Sequence, residues 1–201
     1  MIAWSIKVGL ACKQIDKVVV STDSDKYVRL AKFYGAEVIN RPAELAQDET
    51  PMISVLQHAL AVNPADLVVL LDPTSPFRLV KDIDDCLEKI QEPETDSVVT
   101  VTKAEHNPYF IMGTIGKDDS WQFPLVKTDQ PIIRRQEAPE VWQLNAGVYV
   151  IKKTIIESGK IFTEKTKAVV MPAERSVHID TEMDYKFAEF LLKEGYVKQN
   201  Y

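Results

Sequence analysis

Three short polar clusters follow apolar runs in this chain: Ser21-Thr22-Asp23, Asp72-Pro73-Thr74-Ser75-Pro76 and Asp180-Thr181-Glu182. Two further segments, Asn40-Arg41-Pro42 and Arg134-Arg135-Gln136, bring arginines. Carboxylates gathered with arginines suit a metal-bound phosphate. Hard Mg²⁺ takes oxygen ligands, and the guanidinium fork matches phosphate or carboxylate. Each of these residues taken singly also reads as a helix cap or a solvated charge, because Asp, Ser and Thr cap helices so often. Only convergence would make them a site. Other chemistries lack their spacing. The sequence holds no G-x-G-x-x-G, no G-x-x-x-x-G-K-[ST] and no G-x-S-x-G. The three histidines, His58, His106 and His178, form no H-x-x-x-H pair, which argues against a dedicated zinc site. His58, between Leu56 and Leu60, reads as a packed or surface residue.

The clusters can meet only if the elements between them alternate. Helical spacing covers Ile2 to Lys13, and Lys17 to Ser21 is a β-branched run that suits a buried strand. A helix from Asp25 to Tyr34 stops at Gly35, and Ala36 to Ile39 is a short strand. Thr50-Pro51 starts a helix that reaches Val62. Leu67 to Leu71 is the clearest buried strand; a helix over Asp82 to Gln91 and a strand over Ser97 to Thr102 follow. Residues 106–143 break the rhythm, with four prolines, two tryptophans and no helical period. Such an insertion tends to be functional. Strands are expected at Ala146 to Lys152, Ala168 to Met171 and Val177 to Ile179. The last helix spans Glu182 to Lys193, with Met183, Phe187, Phe190 and Leu191 as one apolar stripe. Alternating strands and helices imply an α/β fold: a mostly parallel sheet with helices on both faces, and ligands at the strands' carboxyl ends.

Composition narrows the class. Of 201 residues, 45% are hydrophobic and 27% charged, as in ordinary globular domains. Residues 1–201 are expected to form one domain. The net charge of −6 argues against nucleic acid as the main partner. The longest aliphatic run, Leu67 to Leu71, falls well short of the ~20 residues of a membrane helix, and Met1 to Lys7 lacks the pattern of a signal peptide. The two cysteines, Cys12 and Cys86, lie far apart, which suits a reduced, cytoplasmic setting.

Several ordered motifs resemble the sugar-acid cytidylyltransferases. Val18-Val19-Val20-Ser21-Thr22-Asp23 with Lys32 to Val38, Arg41-Pro42-Ala43-Glu44-Leu45-Ala46 with Asp48, and Leu71-Asp72-Pro73-Thr74-Ser75-Pro76-Phe77-Arg78 appear in family order. Arg135-Gln136, Leu144 to Tyr149 and Ile179-Asp180-Thr181-Glu182 continue it. The match covers nearly the whole chain and is nearest to the CMP-sialate synthetases. The resemblance implies a three-layer, Rossmann-like sheet of the nucleotide-diphospho-sugar transferase type. It implies Mg²⁺-dependent transfer of CMP from CTP to the anomeric hydroxyl of a nine-carbon 2-keto sugar acid, a nonulosonic acid, with release of pyrophosphate. Carried over by residue, Arg41, Asp72, Thr74 and Ser75 would belong to the nucleotide side. Asp180, with His178, would hold the metal. Arg135, Gln136, Asn145 and Tyr149 would face the sugar acid, with Arg135 and Asp180 as the catalytic pair. Residues 106–145 would form a dimerisation arm, so a homodimer is expected and Arg135 would serve the partner's site.

The chain departs from the pattern in four places. Met1 to Ile6 matches the family's first helix, so the first central strand and its basic phosphate loop are expected to be missing, with Met1 internal to the native chain. Asp72 replaces a glutamine. His178 replaces the first aspartate of a D-x-D. Met52 stands near a position expected to carry a hydroxyl. These changes motivate an alternative: a catalytically silent, dimeric relative that keeps a sugar-acid pocket. A nucleotidyltransferase using another base or a hexose 1-phosphate is a third reading.

Overall fold

The computed structural model describes residues 1–130 and 132–198. The chain begins with α1 (Ile2–Ala11), β1 (Val19–Thr22), α2 (Asp25–Phe33) and β2 (Glu37–Asn40). It continues through α3 (Met52–Val62), β3 (Leu67–Leu70), α4 (Val80–Lys89) and β4 (Ser97–Lys103). An arm then carries a small antiparallel pair, β5 (Thr114–Ile115) and β6 (Trp121–Gln122). The last elements are β7 (Trp142–Lys152), α5 (Lys153–Glu157), β8 (Thr166–Val170) and α6 (Glu182–Lys193). Local chemistry sets the boundaries. Gly35 ends α2 with φ +90, a conformation glycine adopts without strain. The Asp82 carboxylate accepts the Leu79 amide at 2.7 Å and starts α4. At α6, Thr181 Oγ1 accepts the Asp184 amide and the Asp184 carboxylate accepts the Thr181 amide, a reciprocal cap.

The main sheet has the order β3-β7-β4-β8. Strand β7 runs antiparallel to both β3 and β4, while β4 and β8 are parallel. Three strands therefore share one direction and β7 opposes them, so the sheet is mixed rather than the mostly parallel one expected. A parallel pairing needs a crossover connection, usually helical. Among the described residues the arm between β4 and β7 holds no α-helix, and β7 returns alongside β4 like the second strand of a long hairpin.

Side chains alternate across this sheet and build two cores. Val98, Val148 and Val150 face α1 and α4, packing on Val8, Cys12, Ile83, Cys86, Leu87 and Ile90. Val99, Val101, Tyr149 and Ile151 face the opposite way, onto Leu56 and Leu60 of α3 and Ile156 of α5. Helices thus cover both faces, giving three layers. None of the helices among the described residues is long and apolar enough to cross a membrane.

Strands β1 and β2 form a separate parallel pair, covered by Ile6 of α1 and Ala31 of α2. Among the described residues, β1 pairs only with β2, and β3 only with β7. Helix α1 bridges the two sheets. A Cβ on Gly9 would lie 3.1 Å from Val18 Cγ2 and 3.5 Å from Leu71 Cδ1. Residues of β1 and β3 pattern as fully buried strands but are mostly half-buried, because each leaves one edge unpaired.

Other expectations change too. Val177 to Ile179 is not a strand but a loop, pinned by the Ile179 amide donating to Thr74 O at 2.8 Å. Strand β7 starts at Trp142, so the end of the expected arm 106–145 lies inside the sheet. The buried stripe of α6 is Ala188 and Leu191; Met183, Phe187 and Phe190 are exposed.

Burial pushes the Cys86 thiol up to about 12, helped by the Asp82 and Asp85 carboxylates, and burial also raises Cys12. Both groups therefore stay protonated at pH 8. A thiol reagent such as Ellman's is expected to leave both cysteines unreacted in the native chain and to titrate both after unfolding. A fast-reacting thiol in the native chain would contradict this packing.

Candidate active site

Three segments converge at the carboxyl ends of β3 and β8: the loop Asp72 to Arg78, a bulge in β7, and the loop Ser176 to Asp180. The bulge is visible in the register. Val99 pairs with Tyr149 but Val101 pairs with Leu144, so Asn145 to Val148 swell outward opposite Thr100. Ala146 within it has φ +53, a left-handed conformation that costs a non-glycine residue about 1 kcal/mol. Gly147 is required: an added Cβ would lie 2.9 Å from both Met171 Sδ and Thr100 Oγ1.

Buried polar groups hold the bulge. Thr100 donates its hydroxyl to Asn145 Oδ1 at 2.7 Å and accepts the Val148 amide at 2.8 Å. Asn145 Oδ1 also accepts the Gly147 amide, and Asn145 Nδ2 donates to Ser176 Oγ at 2.9 Å. The Ser75 hydroxyl donates to the Asn145 carbonyl at 2.9 Å. Behind them sits Arg78, 3% exposed. Its guanidinium donates to Gly147 O at 2.6 Å, to Ser5 Oγ at 2.7 Å and to Asp72 O. Burial lowers its pKa to about 10, partly offset by the Asp72 and Asp82 carboxylates, so it remains a cation at neutral pH.

The open side of the cluster carries the polar chemistry. Asp72 Oδ1 accepts the Thr74 amide at 3.0 Å and its hydroxyl at 2.7 Å. The His178 ring reaches Ser75 Oγ through Nδ1 at 2.9 Å and Asp180 Oδ1 through Nε2 at 3.1 Å. Thr74 Oγ1 is 3.1 Å from Nε2. The Asp180 side chain is 71% exposed.

The structure thus brings together Asp72, Thr74, Ser75, His178, Asp180 and Asn145, but not in every role the resemblance implies. Asn145, expected against the sugar acid, is instead buried with its amide committed to the bulge. Tyr149, given the same role, is packed in the core beside Phe162, and burial and the Asp72 carboxylate raise its phenol. The causes differ: the bulge turns Asn145 onto Thr100, and the pleat of β7 turns Tyr149 into the core beside Phe162. His178, expected on the metal, has both ring nitrogens engaged, and the described residues hold no group of three or more His, Cys, Asp or Glu side chains able to cage an ion. Arg41 is tied to Ser21, donating to its carbonyl at 2.6 Å and its hydroxyl at 3.2 Å, with no bond to the Asp72 cluster. Arg135 and Gln136 lie exposed in a 3-10 turn of the arm, away from that hydrogen-bond network. Arg78, Thr100, Ser176 and Gly147 are absent from the set expected from sequence. The one available signal was Arg78 itself, a charge following an apolar strand and a Pro-rich loop.

A family model described as Cytidylyltransferase matches residues 1–196. The chain belongs to this family. It is 32% identical over 201 residues to CMP-N,N'-diacetyllegionaminic acid synthase of Campylobacter jejuni, covering 96% of this chain and 83% of that one. It is 30% identical to post-translational flagellin modification protein B of Campylobacter coli, over 96% of this chain and 84% of that one. Identity to N-acylneuraminate cytidylyltransferase of Escherichia coli is also 30%, over 94% of this chain and 45% of the longer relative. Among solved structures, a CMP:2-keto-3-deoxy-manno-octonic acid synthetase complexed with CTP shares the fold. Its TM-score is 0.68 at 12% identity, over 96% of this chain and 87% of that one. As a cytidylyltransferase the chain is an enzyme, with the α/β nucleotidyltransferase-like fold.

Replacing Arg78 tests the scaffold of the site. Arg78→Met leaves Gly147 O, Asp72 O and Ser5 Oγ without their donor. A loss of about 1–3 kcal/mol is expected, the cost of leaving a buried acceptor without its donor, measured as a shift of the denaturation midpoint. A shift worth less than about 1 kcal/mol, the net worth of one ordinary hydrogen bond, would contradict the assignment.

Proposed function

We propose that this cytidylyltransferase transfers CMP from CTP to the anomeric hydroxyl of a nonulosonic acid, a nine-carbon 2-keto sugar acid, and releases pyrophosphate. The observation that carries the proposal is the convergence of Asp72, Thr74, His178 and Asp180 at the carboxyl ends of β3 and β8, where open α/β sheets bind ligands. The similarity to legionaminic and neuraminic acid synthases supports the choice of acceptor. In the reaction the sugar oxygen bonds to the α-phosphorus, the bond from that phosphorus to the pyrophosphate oxygen breaks, and the sugar hydroxyl loses its proton. The enzyme has to position the two reactants in line and to meet the charge that moves onto pyrophosphate.

The donor set fits Mg²⁺. This ion takes one or two protein carboxylates and leaves its other positions to water and phosphate oxygens. Asp180 offers an exposed carboxylate, and Asp72 uses only Oδ1 in the described hydrogen bonds. Bound there, magnesium would neutralise phosphate charge. Arg41 remains on the nucleotide side in this proposal, next to β1. Arg135 and Gln136 stand exposed in the turn Arg135–Glu137, and a sugar carboxylate suits the Arg135 fork.

Two architectural proposals accompany this one. The free edges of β1 and β3, both under α1, would take one more strand, bearing a phosphate-binding loop. The arm would pair with a second copy, because it exposes Ile115, Trp121, Phe123, Leu125 and Ile133, the last at 79%; aromatic and apolar residues concentrate in interface cores. Residues 1–201 would then act as one domain with an arm, in a cytoplasmic setting that keeps Cys12 and Cys86 reduced. A silent sugar-acid-binding relative is the second reading, favoured by the engagement of both His178 nitrogens and by exposed Met52 at the start of α3.

Pyrophosphate release decides between them. CTP, Mg²⁺ and a panel of nonulosonic acids are offered to the 201-residue chain and to a form extended before Met1 by a strand and basic loop. Release with at least one acid, stronger in the extended form, is expected. Acid binding without release would favour the silent relative, and neither binding nor release with any acid would overturn both. Sedimentation is expected to show a dimer that Trp121→Asp with Ile133→Asp converts to monomer; a monomeric parent chain would contradict the arm's role.

A further inference from the structure

His178 stands where three segments cross. It lies between the Asp72 loop and the exposed carboxylate of Asp180, with its side chain 34% accessible. Thr74 gives its hydroxyl proton to Asp72 Oδ1, and Ser75 gives its proton to the Asn145 carbonyl. The ring meets both hydroxyls and the Asp180 carboxylate: Nδ1 lies 2.9 Å from Ser75 Oγ, and Nε2 lies 3.1 Å from both Asp180 Oδ1 and Thr74 Oγ1. Both ring nitrogens thus have protein partners within hydrogen-bond distance.

We infer that His178 is a positioning residue that fixes two carboxylates as a pair, Asp180 directly and Asp72 through the Thr74 hydroxyl. One imidazole then sets the spacing between the two oxygen donors on the open side of the site. The backbone supports this geometry, since the neighbouring Ile179 amide donates to Thr74 O at 2.8 Å and so docks the loop before α6 onto the loop after β3. The role differs from ligation. Replacing a ligand abolishes a site, whereas replacing a group that orients ligands weakens it, typically by 10–100-fold. This inference rests on the proposed placement of nucleotide and metal at the cluster, but its structural half stands without any ligand.

Two measurements on His178→Ala and His178→Gln test it. The first is hydrogen exchange in the free chain. Loss of the ring is expected to lower protection of the Ile179 amide about tenfold, the scale of one lost hydrogen bond. Amides of β4 and β7 should keep theirs. His178→Gln, which keeps one side-chain donor, should fall between. Unchanged protection at Ile179 in His178→Ala would overturn the positioning role, and a general loss across β4 and β7 would reassign His178 to the stability of the core. The second uses Mn²⁺ with CTP as the probe, followed by electron paramagnetic resonance. Affinity is expected to fall 10–100-fold in His178→Ala and less in His178→Gln. Equal affinity would overturn the pairing of the carboxylates, and complete loss with either variant would make His178 a ligand. If the parent chain itself binds no Mn²⁺ with CTP, the proposed function is what fails, and the exchange measurement still decides whether His178 docks the two loops.

Discussion

A guanidinium buried away from water must find acceptors, and Arg78 finds three on three different segments. Ser5 belongs to α1, Asp72 O to the end of β3, and Gly147 O to the bulge of β7. The penalty for burying this charge is large, as its lowered pKa of about 10 records. The segments therefore cannot drift apart without stranding the cation. The polar cluster on the open side is built on that contact. The Asp72 loop presents Thr74 and Ser75, the Ser75 hydroxyl meets the Asn145 carbonyl of the bulge, and His178 joins the loop to Asp180.

The reversed strand explains why a site forms at this edge. Because β7 runs against β3, β4 and β8, its bulge at Asn145 to Val148 falls at the carboxyl ends of β3 and β8, opposite the middle of β4. A β-bulge re-aims a strand and often sits beside an active site. Here it carries a left-handed alanine and a glycine with no room for a side chain. Thr100 and Asn145 hold it from inside, so the strain at Ala146 is offset by hydrogen bonds made in a dry environment, where they are stronger.

Much of this was legible in the sequence. The β-branched runs place β1, β3, β4 and most of β7, and the apolar stripe places α6 with its actual limits, which the Thr181–Asp184 cap fixes in the structure. The polar clusters after β3 and before α6 were recognised as a potential site, and they do meet. What periodicity could not show was direction. Nothing in Ala146 to Lys152 says that it runs antiparallel, since that depends on the absence of a crossover in the arm. Nor could it show which side chains turn inward. Asn145 and Tyr149 fit a substrate pocket by order alone, yet the bulge and the pleat bury both. Nothing in the sequence gives Arg78 a buried role, because a charged residue seldom lies fully buried. The expected strand at Val177 to Ile179 failed for a related reason. One backbone hydrogen bond and the His178 side chain hold that segment, where a β-branched run suggests a ladder.

The central claim is that the cluster of Asp72, Thr74, His178 and Asp180 receives the nucleotide and its metal. Its most direct test is a titration of the isotope-labelled chain with CTP and Mg²⁺, following backbone amides by nuclear magnetic resonance. The account predicts that Thr74, Ser75, Ile179 and Asp180 shift first and together, with Arg41 as the remote responder. Shifts confined to the opposite end of the sheet, around Asp66, Gln91, Lys152 and Lys153, where a separate cleft opens, would contradict it.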